Sequence, residues 1–433
     1  MASASAPPRS TRAGRAGAAP VAKAKAKRPI EYSILYTATL CMVAIGAVMV
    51  YSASSAESLL DGSGDPLMYL KRYVSLGLIG LVAMLLAARH GLALVRQLTP
   101  VILVVAFVLT AAVMVPGLGV TVNGATSWLG AGPLQFQPSE LLKVALVLYA
   151  AQLLATRPRS VQTLGGIAKP LLIVVGAAAL ALMAQPDMGT LMVICAAMGM
   201  VLLIAGTPLR LLGGLAGALF GAALLAALVE PYRMARMTAF LNPFADSHDT
   251  GFQTVQGLTA IGSGGLFGVG LGESVQKVFY LPEAHTDMIL AIIGEELGLI
   301  GVAGVIGLYV LIGYAGLRTA KAARDRYSKL LAAGITSLIL CQATLNICAV
   351  LGLAPLTGVP LPFISYGSTN LIVLLGAMGL LLNIAATGGL PQTAARPRLR
   401  SIDGGLADEG GDRGRRDGRT RRPGAGDRRR TAG

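Results

Sequence analysis

The chain has 433 residues, 54% of them apolar and 13% charged, with 55 glycines. Soluble domains carry roughly 25% charged residues, so this composition excludes a soluble globular protein and points to one built in a bilayer. The formal net charge of +15 does not read as nucleic-acid binding, because the basic residues gather in two tails and not along the body.

Residues 1–32 are rich in Ala, Pro, Ser, Lys and Arg, have no hydrophobic period, and read as a disordered basic cytoplasmic tail. The first apolar span follows at about Ser33–Tyr51. The length of the basic arm and the many later spans favour an uncleaved anchor over a cleaved signal peptide. Further apolar runs fall near 73–88, 99–116, 138–156, 168–185, 188–206, 209–229, 287–316, 330–352 and 366–387. Each suits a helix crossing a hydrocarbon core about 30 Å thick. With the N-terminus inside, the inward connections carry Arg89 and Arg96, then Arg157, Arg159 and Lys169, then Arg210, then Arg318 to Lys329, as the positive-inside rule expects. The expected fold is all-α: a polytopic domain of about ten transmembrane helices over 33–388, with both termini cytoplasmic. It has one large extracytoplasmic loop at 230–286, and a disordered Arg-rich tail at 389–433. Gly213, Gly217 and Gly221 repeat at a four-residue spacing that suits close helix packing. The four cysteines lie in apolar runs without a C-x-x-C pair and read as small core residues.

Polar residues in so apolar a chain mark where chemistry can occur, since buried charge is costly. Between the third and fourth spans, N-G-A-T-S-W-L-G-A-G-P-L-Q-F-Q-P-S-E-L-L-K holds Trp128, the chain's only tryptophan. A lone tryptophan here reads either as a membrane-belt anchor or as a substrate contact. Glu140 and Lys143, three residues apart, share a helix face. They form a structural ion pair, or Lys143 faces a cavity and meets an anionic group. Gln185-Pro186-Asp187 makes a tight turn in which Asp187 caps a helix. The 230–286 loop holds Arg233, Arg236 and Lys277 among apolar residues, which suits a diphosphate. Its glycines at 262–272 fit no nucleotide-binding pattern and read as turns or a re-entrant element. The stretch Y-L-P-E-A-H-T-D-M-I-L-A-I-I-G-E-E-L-G then carries His285, Asp287, Glu295 and Glu296 into an apolar run. Finally G-V-P-L-P-F-I-S-Y-G-S-T-N brings Ser365 to the start of the last span, as a helix-start loop or a cavity wall.

These motifs, in this order over about residues 33–388, resemble the SEDS family (shape, elongation, division, sporulation), whose members are ten-span peptidoglycan polymerases. Lys277 and the alanine of P-E-A-H-T-D look more like the division branch than the elongation branch. Two positions depart from the pattern: Ser127 stands where an arginine often precedes the tryptophan, and Gly367-Ser368 stands for a double glycine. The resemblance implies a substrate, lipid II, a disaccharide-pentapeptide on undecaprenyl diphosphate. It implies a class B penicillin-binding protein as transpeptidase partner, other divisome proteins, and a place in the bacterial cytoplasmic membrane at the division septum. The family's essential acid falls on Asp287 and its loop tryptophan on Trp128.

Glycosyl transfer needs a base for the acceptor hydroxyl and cations for the departing diphosphate. Asp287 is assigned as the base of an inverting displacement. Trp128, Glu140, Lys143, Arg233, Arg236, Lys277, His285 and Ser365 are the candidate substrate-binding residues. Glu295 lies eight residues on, about 12 Å along a helix axis, so it and Glu296 read as structural. No cofactor is required by the sequence. A Mg or Mn ion bridging diphosphate oxygens is chemically reasonable, but no ligand spacing outlines a dedicated metal site. The rivals are a lipid II flippase, which needs charges near the midplane, and a scaffold that recruits partners through its tails.

Overall fold

The structure, a computed structural model, describes residues 28–60, 65–122, 125–131, 134–229, 234, 240–246, 251–278 and 280–388. Most of both expected tails, together with Arg233 and Arg236, lies outside the described residues. Every one of the ten apolar segments is helical. The helices are α1 (Ile30–Leu60), α2 (Met68–Leu86), α3 (Leu92–Ala112), α4 (Pro138–Thr156), α5 (Leu164–Ile167), α6 (Ile173–Ala184), α7 (Met188–Ala205), α8 (Leu209–Val229), α9 (Phe252–Gly264), α10 (Ile289–Ala322), α11 (Arg326–Val350) and α12 (Ser368–Gly388).

Among the described residues, seven helices are long and apolar enough to cross a membrane, and Pro170–Ala184 and Leu209–Ala222 are shorter apolar helices. The difference from ten begins at α2 and α3. They run as one 45-residue helix, Met68–Ala112, where the sequence suggested two spans separated by a loop with Arg89 and Arg96. At 1.5 Å per residue that is about 68 Å of helix, more than twice a bilayer core. The junction is a π-helical turn at Ala87–Gly91. Such a turn loosens the regular ladder of carbonyls, and Asn383 of α12 donates to the Ala88 carbonyl there at 2.8 Å. The two halves then pack on different partners, α2 on α12 and α3 on α4.

A second difference is a small antiparallel sheet in the 117–137 connection, where an all-α fold was expected. Strands β1 (Gly119–Val122), β2 (Ala125–Ala131) and β3 (Leu134–Phe136) pair in the order β1-β2-β3. The sheet is pinned to the bundle by polar bonds. Ser368 Oγ donates to the Gln135 carbonyl, and the Gln137 amide donates to Thr369 Oγ1, so β3 sits on the first turn of α12. Ser127 Oγ donates to the Gln185 carbonyl, which sets β2 on the turn between α6 and α7.

The centre of the bundle is made by α4, α11, α12 and the first two turns of α10, whose residues are buried on most faces, while α10 beyond Gly298 keeps an exposed apolar face. Their ends are set by short-range chemistry. Pro138 opens α4, where a missing amide costs nothing. Asp187 accepts from the Thr190 amide and caps α7, and Asp325 caps α11 through the Ser328 amide. Next to Asp325, Arg326 donates to the carbonyls of Leu154 and Ala205, closing the last turns of α4 and α7 with one guanidinium.

Helix α10 is broken at Gly298, whose φ of 67° and ψ of −166° leave the helical region. The break exposes carbonyls and amides inside an apolar bundle, where each would be expensive unpaired. The glycine-rich segment after α9 satisfies them. Val269 and Gly270 amides donate to the carbonyls of Glu295 and Glu296, while Leu299 and Ile300 amides donate to the carbonyls of Gly265 and Leu266. A side chain at Gly268 would collide with the Glu296 carbonyl, and one at Gly298 with the Leu266 carbonyl and Gly268 amide. The glycines thus serve a backbone-to-backbone splice, and the segment enters beside the broken helix as a re-entrant element.

Candidate active site

Asp287 lies in the turn that leads into α10, half-buried, with the segment 282–288 looped over the end of the bundle. The turn is tight: Thr286 and Met288 amides both donate to the Glu283 carbonyl. Glu283 itself is held at a φ of 55°, a strained conformation for a residue with a side chain. Thr286 Oγ1 donates to Glu283 Oε2 at 2.7 Å and lies 3.4 Å from Asp287 Oδ1. The main chain of Asp287 is fixed from below, because Asn346 Nδ2 on α11 donates to its carbonyl at 2.7 Å and to the Val359 carbonyl at 2.8 Å. Gly358 faces the carboxylate, and a Cβ there would stand 4.0 Å from Asp287 Oδ2. With no side chain, Gly358 leaves room beside the acid.

The opposite wall is the 358–367 segment, held by four side chains, two from α2 and α10 and two from α11, the helix that precedes it. Tyr73 Oη donates to the Phe363 carbonyl and Tyr309 Oη to the Pro362 carbonyl, each at 2.6 Å. Gln342 Nε2 donates to the Pro360 carbonyl at 2.9 Å, and Asn346 takes Val359 as above. Phe363 is forced to a φ of 65°. A segment this constrained is a rigid wall and not a flexible lid. Ser365 belongs to its internal fastening. Its Oγ accepts from the Leu361 amide at 2.8 Å and is buried, so the hydroxyl is turned into the loop and away from any ligand.

His285 joins the two walls. Its carbonyl accepts from the Tyr366 amide at 3.0 Å. Its ring sits among Tyr69, with centroids 4.4 Å apart, and Tyr366, at 5.6 Å. Nδ1 lies 3.3 Å from Glu57 Oε2 near the end of α1. The contact is an electrostatic approach without hydrogen-bond alignment, since Nδ1 has no well-directed partner among the described residues. His285 is therefore an element of the frame around Asp287.

The two lysines expected at the substrate are paired inside the protein. Lys143 Nζ binds Glu140 Oε1 and Gln342 Oε1, both at 2.8 Å, and is almost wholly enclosed. Of the two readings of this pair, the geometry favours the structural one. Lys277 Nζ lies 2.9 Å from Glu296 Oε1, 2.6 Å from the Gly272 carbonyl and 3.3 Å from Ser52 Oγ. It is buried, and its charge is matched before any diphosphate arrives. Glu295 is occupied likewise by Ser274 Oγ and the Val275 amide. Both glutamates thus brace the re-entrant segment against α10. Trp128, partly buried on β2 opposite Val120, stands on the sheet over the α6–α7 turn. Among the described residues no three His, Cys, Asp or Glu side chains gather as a metal site.

Several residues that build this frame were not singled out from sequence: Glu57, Tyr69, Tyr73, Tyr309, Gln342, Asn346 and Tyr366. A signal existed for two of them. Gln342 and Asn346 are four apart within an apolar span, which places two amides on one face of a buried helix.

A family model described as cell cycle protein, covering FtsW, RodA and SpoVE, matches residues 32–388. The chain is 39% identical over 359 residues to stage V sporulation protein E of Bacillus subtilis, covering 81% of this chain and 96% of that one. It is 41% identical over 355 residues to a probable peptidoglycan glycosyltransferase FtsW of Thioalkalivibrio sulfidiphilus, covering 81% and 88%. Among solved structures it resembles a chain from a peptidoglycan synthase complex, described for its coordination of polymerization and crosslinking. The TM-score there is 0.68 at 28% identity, covering 82% of this chain and 97% of that one. It also resembles the rod shape determining protein RodA of Thermus thermophilus, with a TM-score of 0.60 at 28% identity, covering 81% and 95%.

Proposed function

The chain belongs to the FtsW/RodA/SpoVE family of cell cycle proteins, and we propose that, as a peptidoglycan glycosyltransferase, it polymerises lipid II with Asp287 as the general base. The observation that carries the reading is the seating of Asp287. It is the acid of a strained turn, fixed through its carbonyl by Asn346 and bordered by Gly358, where a sugar hydroxyl can approach. In the reaction Asp287 takes the proton from the acceptor's 4-hydroxyl as that oxygen attacks the donor's anomeric carbon. The bond to the diphosphate breaks, undecaprenyl diphosphate leaves, and the configuration inverts. A preset base needs no reorganisation at the moment of reaction. With Lys143 and Lys277 already neutralised, the charge on the diphosphate falls to Arg233 and Arg236, and Trp128 is the further substrate contact.

The reading extends to a multi-pass membrane protein acting from the outer side of the cytoplasmic membrane at the division septum. Its partner is a class B penicillin-binding protein that crosslinks the strands, within a set of other divisome proteins. Likeness to a synthase complex that couples polymerization and crosslinking supports that pairing.

The test is reconstitution of the full chain with its transpeptidase and labelled lipid II. Glycan that a muramidase digests is the expected product. Wild type that moves lipid II across vesicles and makes no glycan would identify a flippase.

A further inference from the structure

Alongside the outer half of α1 a groove of about 870 Å³ opens between that helix and the 271–280 segment. Its sides are apolar, with Val48, Tyr51 and Leu59 from α1 facing Leu271, Val275 and Val278 from the segment. These six side chains are all exposed, as lipid-facing groups are in a bilayer. Of the polar groups that line it, Lys277 and Ser52 are bound to Glu296, and Glu273 adds an exposed carboxylate that repels an anion. The groove is thus suited to a hydrocarbon and poorly suited to an anion.

We propose that this groove holds the first isoprene units of the polyprenyl chain of the lipid-linked substrate. The proposal rests on the polymerase reading above. Position supports it first. From Val48 to Leu59 the groove follows α1 for about 17 Å. Glu57, next to the groove-lining Ala56, lies 3.3 Å from His285, two residues before Asp287. A chain lying in the groove therefore emerges where its diphosphate would meet the catalytic turn. The surroundings support it as well. Leu266, Phe267 and Val269 on the re-entrant segment extend an exposed apolar surface beside the groove, at the level of the α10 break. An acyl chain of a bilayer phospholipid shares the same chemistry, but it has no reacting headgroup to deliver to Asp287.

The experiment uses the full chain with its transpeptidase in nanodiscs and an undecaprenyl diphosphate carrying a diazirine in its first isoprene units. Adducts should map to residues 48–59 and 271–280, and should fall when unlabelled polyprenyl diphosphate is added but not when phosphatidylglycerol is added. Adducts elsewhere, or equal competition by phosphatidylglycerol, overturn the proposal. A second arm uses Ser55→Trp, which fills the groove. KM for undecaprenyl lipid II should rise at least tenfold with kcat little changed, and an unchanged KM counts against the groove. Labelling needs no turnover. Specific labelling of a protein that makes no glycan would keep the groove and remove the polymerase.

Discussion

His285 Nδ1 lies 3.3 Å from Glu57 Oε2, which couples the last turns of α1 to the turn that carries Asp287. The contact joins positions about half the chain apart in sequence, yet it sits two residues from the proposed base. Its consequence is a positioning effect and not a binding one. Glu57→Gln should lower the polymerisation kcat about tenfold, near 1.4 kcal/mol of lost transition-state stabilisation, with KM little changed. Glu57→Asp should recover part of the rate. A rise in KM at constant kcat would show that the pair touches substrate instead.

The enclosed Glu140–Lys143 pair makes a stability prediction. Lys143→Ala leaves a carboxylate buried without its cation, a loss of about 3–5 kcal/mol in comparable sites. Thermal unfolding in detergent should show a large fall in midpoint. Converting both residues, with Glu140→Gln and Lys143→Met, should recover most of it. If Lys143→Ala unfolds normally while KM for lipid II climbs steeply, the lysine faces substrate and the structural assignment fails.

Lys277 can be separated from a diphosphate ligand in the same way. Lys277→Met alone should lower stability, because Glu296 is left in an apolar bundle with Ser52 as its remaining partner. Lys277→Met together with Glu296→Gln should fold as well as wild type and keep KM within about threefold, near 0.6 kcal/mol. A double variant that is stable yet binds lipid II tenfold more weakly would return Lys277 to the substrate.

Gly298→Ala places a methyl group against the Leu266 carbonyl and the Gly268 amide at a left-handed φ of 67°. Both the strain and the collision act on the splice between α10 and the re-entrant segment. Expression of monodisperse protein should fall sharply, and Gly268→Ala should do the same. Glycines whose added Cβ meets nothing, such as Gly304 and Gly307 on the same helix, should accept alanine with little effect. Equal tolerance at all four positions would remove the splice from the account.

Much of this architecture could be read before any coordinates. Ten apolar segments are helical because twenty-odd apolar residues have one stable conformation in a bilayer. The Glu140–Lys143 pair was legible because its spacing is a helical one. The Lys277–Glu296–Ser52 cluster was not, since Ser52 and Lys277 are 225 positions apart and no local period links them. The Gly298 break was hidden inside a run, G-E-E-L-G-L-I-G, that reads as uninterrupted helix. The small sheet left a signal that was not used: Asn123-Gly124 between short β-branched runs is a hairpin dipeptide. Ser365 misled because a serine in a polar loop looks available, whereas its hydroxyl is spent on the Leu361 amide.

The central claim is that Asp287 is the base, and its most direct test is single-turnover polymerisation of labelled lipid II by Asp287→Asn beside wild type. Asparagine keeps the shape of the turn and its carbonyl bond to Asn346 but cannot take a proton at neutral pH. The account predicts a folded, lipid II-binding complex whose rate falls at least a hundredfold, in the range removal of a general base produces. A variant that binds lipid II and polymerises it at the wild-type rate would contradict it.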